Sequence, residues 1–221
     1  MKWEIKQFNE VSSTNTLART MPIGTVVMAE AQTAGRGRYG RVWQSPIGNL
    51  YASFVFPNTD KLQKYLSFMT GLALAESLPE FDVHLKWPND VLLDGKKLAG
   101  VLLETVEDKI IVGIGVNLVS SPTKNVLYPT THLGGLLSPI ALVKRLIIQY
   151  DAVLSILEKK GFEKIKQRWL DLAQNVGEII SVHLPDQELV GIFKGINNDG
   201  ALILKTTQKT YKIMAGDVFL I

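Results

Sequence analysis

Three arginines and four glycines crowd one stretch of the chain: Arg36, Arg38 and Arg41 stand among Gly35, Gly37, Gly40 and Gly48, with Trp43 between them. A guanidinium offers phosphate or carboxylate a planar fork of donors, and glycine lets the backbone come close to a ligand. The stretch has the composition of a mobile anion clamp. Farther along, Lys86, Asn89, Lys97 and Asn117 place cations and carboxamides at strand ends, with Asp90 beside them. Such a set neutralises the charge that develops in phosphoryl or nucleotidyl transfer, where positioning and electrostatics supply most of the catalysis. Asp90 is suited to hold the magnesium that accompanies ATP. No Ser-His-Asp set is legible, and the three histidines are scattered at 84, 132 and 183.

The arginine stretch taken alone also fits a solvated loop or a nucleic-acid tail. Its flanks argue for a folded site, because Thr25–Ala29 and Leu50–Phe56 both read as buried strands. It is not a P-loop, since the lysine and Ser/Thr of that motif are missing and no helix pattern follows. With 24 basic and 21 acidic residues mixed along the chain, a net charge of +3 gives no general nucleic-acid or membrane footprint. Zero cysteines exclude disulfides and fit a cytoplasmic protein. The N-terminus has no apolar signal region and no apolar run approaches membrane-spanning length, so a soluble, unprocessed chain is expected. A length of 221 residues with 46% hydrophobic content supports one real core plus a small appendage.

The elements that must hold these groups follow in order. Trp3–Phe8 reads as an edge strand, and Ser12 or Ser13 is placed to cap a short helix through Leu17 and Ala18. Ser13, Thr14 and Asn15 are thus either capping residues or a polar lining for a ligand head group. Apolar spacing predicts a core-facing helix over 61–77. A strand from Val83 stops at Pro88, putting Lys86, Asn89 and Asp90 at its end. Asp94-Gly95 predicts a hairpin between 91–93 and 97–104, and the strand 109–117 continues an antiparallel meander. Gly100, Gly113 and Gly115 mark bulges, close approach to a ligand or plain packing. Lys97 either projects a cation into a cleft or is a solvated turn lysine. Residues 120–135 read as a loop in which His132 is structural or solvated.

Ser138-Pro139 starts a helix that Gly161 ends, and a second helix follows over 162–174. From Val176 the pattern changes to short strands at 179–184, 188–195, 201–205, 210–214 and Val218–Ile221, which read as a small SH3-like barrel. The expected domains are 1–175 and 176–221.

The segments SSTN at 12–15, QTAGRGRYGRVWQSPIGNLYAS at 32–53, KWPNDV at 86–91, KKLAGVLLE at 96–104 and GIGVN at 113–117 resemble, in order and spacing, the motif series of biotin protein ligases. With the C-terminal barrel, the resemblance covers almost the whole chain. It implies an α+β fold, a mixed and largely antiparallel sheet with helices packed on it, like the catalytic domain of class II aminoacyl-tRNA synthetases. It implies that biotin attacks Mg-ATP to give biotinyl-AMP and pyrophosphate, and that a lysine of a biotin carboxyl carrier protein then takes the biotinyl group. By motif position Ser13, Thr14, Asn15, Gln32, Arg36, Gly37, Arg38 and Lys97 bind biotin, which favours the ligand role for the first three. Arg41, Trp43, Lys86, Asn89 and Asn117 meet ATP, with Trp43 over the adenine. Lys97, Arg38 and Asp90 serve catalysis, Asp90 as the metal contact. The glycines leave the arginine loop disordered when empty. The motifs begin at Ser12, so the DNA-binding domain of the family's repressors is not expected, and pairing through a sheet edge makes a homodimer an option.

Two other readings compete with this one. Lipoate and octanoate ligases on the related fold carry a glycine-rich motif followed by a histidine, where this chain is arginine-rich. A nucleic-acid binding module needs a broader basic face and exposed stacking aromatics.

Overall fold

Alternation of side chains along buried strands sets the architecture of the computed structural model, which describes residues 1–220. Seven strands form the main sheet: β1 (Glu4–Val11), β2 (Thr25–Gln32), β3 (Leu50–Pro57), β4 (Val83–Lys86), β5 (Asp90–Leu93), β6 (Lys96–Val106) and β7 (Lys109–Val116). Their spatial order is β1-β2-β3-β7-β6-β5-β4, and only β1 and β2 run parallel. The parallel pair is joined through α1 (Thr14–Ala18), and β4 to β7 make the expected meander. At the β5–β6 turn Asp94 (φ 51°) and Gly95 (φ 70°) both take positive φ, the geometry of a tight two-residue hairpin.

The period-two rule divides β3 cleanly. Leu50, Ala52, Phe54 and Phe56 face a core shared with α2 (Asp60–Glu76) and α3 (Pro139–Asp171). Val55 faces the opposite side, with Val27, Ile111 and Ala18 of α1. One face of the sheet is therefore sealed by two long helices, while α1 covers only part of the other. α2 begins where Thr59 accepts the Leu62 amide, and α3 where Ser138 accepts that of Ala141. The expected break at Gly161 is present: φ 71° and ψ −178° interrupt α3, whose helical hydrogen bonding resumes at once.

The C-terminal strands β8 (Ile179–His183), β9 (Glu188–Ile196), β10 (Leu202–Lys205), β11 (Thr210–Ile213) and β12 (Asp217–Leu220) form an antiparallel sheet ordered β11-β10-β9-β8-β12. No pairing joins β11 to β12 among the described residues, so the expected barrel is an open five-stranded sheet at that seam. Ile221, the end of the expected last strand, lies outside the described residues. The sheet docks on the main body where Trp87 Nε1 donates to Gly200 O at 3.1 Å, and β12 touches it through Asp217 at Arg41 and Phe219 at Tyr128. Among the described residues no helix is long and apolar enough to cross a membrane.

Candidate active site

The uncovered face holds a cleft of about 720 Å³. Its floor is made of glycines. Gly100 of β6 pairs with Gly115 of β7, and Leu102 with Gly113, in unbroken register, so these positions share one face without a bulge. The glycines admit side chains rather than a ligand: a Cβ at 113 would stand 2.3 Å from Asn15 Oδ1, and one at 115 would stand 2.4 Å from Trp43 Cε2.

At one end the lining is polar and uncharged. Ser13 sits at the N-cap of α1, yet its side chain makes no capping bond, so the capping alternative is not realised. Ser13, Thr14 and Asn15 are all buried. Gln32 Oε1 accepts both the amide and the hydroxyl of Thr14, and Gln32 Nε2 donates to Ser45 Oγ at 3.0 Å. Ser53 Oγ reaches Thr14 Oγ1 at 2.8 Å and Asn15 Oδ1 at 2.6 Å. This network fixes the amide of Asn15 and leaves its buried Nδ2 without a partner. A buried donor held in place with nothing to donate to is suited to a ligand acceptor.

In the structure the arginine segment is a small hairpin. Arg36 bridges to Val42, Gly37 N donates to Arg41 O at 2.7 Å and Trp43 N donates to Gly35 O at 2.9 Å. Glycine is required here for shape: Gly40 has φ 73°, and a Cβ on Gly35 would meet Trp43 O at 2.4 Å. Gly37 is extended, and its amide is spent inside the hairpin. Each arginine has a different anchor. Arg36 donates to Glu104 at 2.7 Å and to Thr16, and Arg19 shares the same carboxylate at 2.9 Å. Burial raises the Glu104 carboxyl, but the two guanidiniums outweigh it and hold the group below the usual range. Arg38 donates to Asn89 Oδ1 at 3.2 Å and to Gly216 O at 3.5 Å, while Arg41 pairs with Asp217 of β12. Asn89 is itself pinned, because its Nδ2 donates to Val101 O at 2.6 Å.

The charged end centres on Lys97, which the structure places in the cleft rather than in solvent. Its ammonium lies 2.6 Å from Asp90 Oδ1 and 5.4 Å from the Trp43 ring. Asp90 is 6% exposed, and Tyr128 donates to its other oxygen. Its carboxylate is thus already committed. No group of three His, Cys, Asp or Glu gathers among the described residues, so the side chains present do not compose a protein-built metal site. Lys86 is not on the cavity wall; it stands behind Tyr128, 3.7 Å from the ring centroid. Burial pushes its ammonium below the usual lysine range and Lys97 adds to this, against the pull of Asp90 and Asp217. Asn117 is buried and donates to Thr131 O at 3.0 Å, tying the 120–135 loop to β7.

The structure therefore brings Ser13, Thr14, Asn15, Gln32, Arg36, Gly37, Arg38, Arg41, Trp43, Asn89, Asp90, Lys97 and Asn117 to the lining of one cleft. Sequence reasoning missed Ser53, Asn49, Tyr128 and Asp217. A serine inside the aromatic strand Leu50–Phe56 was a readable signal for Ser53. Asn49 accepts the amides of Leu118, Val119 and Ser120, and nothing local announces that.

Residues 7–118 match the biotin/lipoate A/B protein ligase family, and residues 176–221 match the biotin protein ligase C terminal domain. The biotin--[acetyl-CoA-carboxylase] ligase of Paracoccus denitrificans is 36% identical over 213 residues, covering 87% of this chain and 89% of the relative. The bifunctional ligase/repressor BirA of Escherichia coli strain K12 is 33% identical over 217 residues, 89% of this chain and 66% of BirA. The solved biotin protein ligase from Aquifex aeolicus in complex with biotin and ATP superposes with a TM-score of 0.87 at 29% identity, over 97% of each chain.

Proposed function

The chain belongs to the biotin/lipoate A/B protein ligase family, and on that premise we propose that its cleft is where biotin is activated by ATP and handed to a lysine of a carboxylase carrier domain. One observation carries the choice of acid. A single cavity is uncharged and polar at the end of Thr14, Asn15 and Gln32, and cationic at the end of Lys97 and Arg38. Biotin has that polarity, with a neutral ureido head and a carboxylate tail, and the unpaired Asn15 Nδ2 suits the ureido carbonyl.

In the first step a biotin carboxylate oxygen bonds to the α-phosphorus of ATP, the bond to the bridging oxygen breaks, and pyrophosphate leaves. Two anions must meet, and Lys97 holds them together and offsets the charge that builds on the phosphoryl oxygens. Arg38, oriented by Asn89, adds a second cation at the same place. Arg36, Gly37 and Arg41 belong to the hairpin that closes over the product, and Trp43 covers its adenine. Exclusion of water matters because an acyl-adenylate is readily hydrolysed. In the second step the carrier amine attacks the biotinyl carbon, AMP leaves, and the amine loses a proton. Magnesium carried by the triphosphate would neutralise part of its charge and would need few protein ligands; Asp90, held by Lys97 and Tyr128, would be the carboxylate nearest to it. Lys86 acts on the phosphates from behind Tyr128, and Asn117 through the loop it holds. Residues 1–175 carry the chemistry and 176–221 flank it. The setting is the cytoplasm, where ATP and the carboxylase are found.

ATP–pyrophosphate exchange with biotin, lipoate or octanoate as the sole acid tests this reading. Exchange is expected with biotin alone. Equal or better exchange with either fatty acid would remove biotin as the substrate.

A further inference from the structure

Tyr128 lies in the loop to which the sequence assigns no role, yet the charged end of the cleft converges on it. Its hydroxyl donates to Asp90 Oδ2, the Lys86 ammonium lies 3.7 Å and the Lys97 ammonium 5.5 Å from its ring centroid, and Phe219 packs on it in a T-shaped pair with centroids 6.3 Å apart. The loop is stitched to residue 97 itself. Lys97 N donates to Pro129 O at 2.8 Å, Thr131 N donates to Lys97 O at 2.9 Å, and Lys97 and Thr130 form a parallel bridge. Phenol and ammonium are thus referenced to the same piece of backbone.

We propose that Tyr128 is a positioning residue for adenylation, acting through Asp90 to let Lys97 exchange its carboxylate partner for the two substrate anions. This rests on the reading of the cleft as a biotin-adenylating site. Asp90 is almost fully buried and is held from two sides, by Lys97 at 2.6 Å and by the phenol. To bridge a carboxylate and an α-phosphate, Lys97 must turn away from it. A buried carboxylate left without a donor is costly, and that cost would hold the lysine back. The phenol, fixed by its loop, stays on Oδ2 and leaves Asp90 with a partner. It also draws off part of the carboxylate's charge and so loosens its grip on Lys97. The Lys86 cation on the ring strengthens the hydroxyl as a donor.

The test is single-turnover formation of biotinyl-AMP by wild type, Tyr128→Phe, Asp90→Asn and the double variant, each with its biotin Kd and melting temperature. Tyr128→Phe keeps the ring under Lys86 and deletes only the hydroxyl. It should slow adenylation about 10- to 100-fold while biotin Kd stays within about 3-fold. In the Asp90→Asn background the same change should cost less than about 3-fold, because the charge through which the hydroxyl acts is gone. Losses of equal size in both backgrounds overturn the inference, as does a Tyr128→Phe variant of wild-type rate or one whose Kd and melting temperature collapse together with its rate. A wild type that forms no adenylate from biotin defeats the underlying reading and this inference with it. A competent wild type with an indifferent Tyr128→Phe defeats the inference alone.

Discussion

Lys97 has two anionic commitments, one visible and one implied by the chemistry. In the structure its ammonium is held by Asp90, and in the proposed reaction it would hold a carboxylate and a phosphate together. Removing it takes away charge stabilisation that matters most when both anions are forced into contact. Lys97→Ala should therefore lower biotin-dependent exchange about 100-fold or more, the scale of a lost transition-state donor, while biotin Kd measured by calorimetry changes less than about 10-fold. Equal losses in rate and affinity would make Lys97 a binding group only. The uncharged end of the cleft explains the split: Thr14, Asn15, Gln32 and Ser53 form their network away from Lys97. The cations and carboxamides that line the cleft were legible in the sequence, because lysine, arginine and carboxamides at strand ends stand out. Tyr128 and Asp217 were not legible, since their partners are distant in sequence at positions 90 and 41.

Among the elements, α3 shows how one backbone position shapes a helix. Gly161 adopts φ 71° and ψ −178°, and a Cβ there would meet no atom within 4 Å. A substitution thus carries the cost of the conformation alone, without a clash. Gly161→Ala should destabilise the protein by about 1–3 kcal/mol, read as a lower urea midpoint with an unchanged m-value. An unchanged midpoint would mean that α3 straightens at no cost. The hairpin of residues 36–43 is the contrasting case. Its glycines were legible as conformational freedom, but that freedom is used to build a defined turn that lays Trp43 on a glycine floor. Composition gives the freedom of a segment. The shape depends on which strand face lies beneath it.

At the scale of the whole molecule, the C-terminal sheet touches the arginine hairpin. Its strand β12 reaches the arginine hairpin through Arg41–Asp217 and through Gly216 O, which Arg38 also contacts. The ion pair is partly exposed and screened by solvent, so its share of global stability is small, below about 1 kcal/mol. Its effect on a short hairpin should be larger than on the fold. Asp217→Asn is expected to leave the melting temperature nearly unchanged and to speed amide hydrogen exchange over residues 36–43. Protection of that segment equal to wild type would show that the hairpin stands without the C-terminal sheet.

By itself the sequence determined the strand meander, both long helices, the break at Gly161 and the residues able to bind anions, because each rests on periodicity, turn chemistry or side-chain type over a few neighbouring positions. It also carried the motif series that marks the family. The tertiary structure alone decided which of those residues meet. Register between β6 and β7 gathered Gly100, Gly113 and Gly115 into one floor, docking of β12 gave Arg41 its carboxylate, and the return of the 120–135 loop put Tyr128 between Lys86 and Asp90. Those contacts join residues far apart in the chain. Their partners are selected by packing of whole elements, which no local pattern encodes.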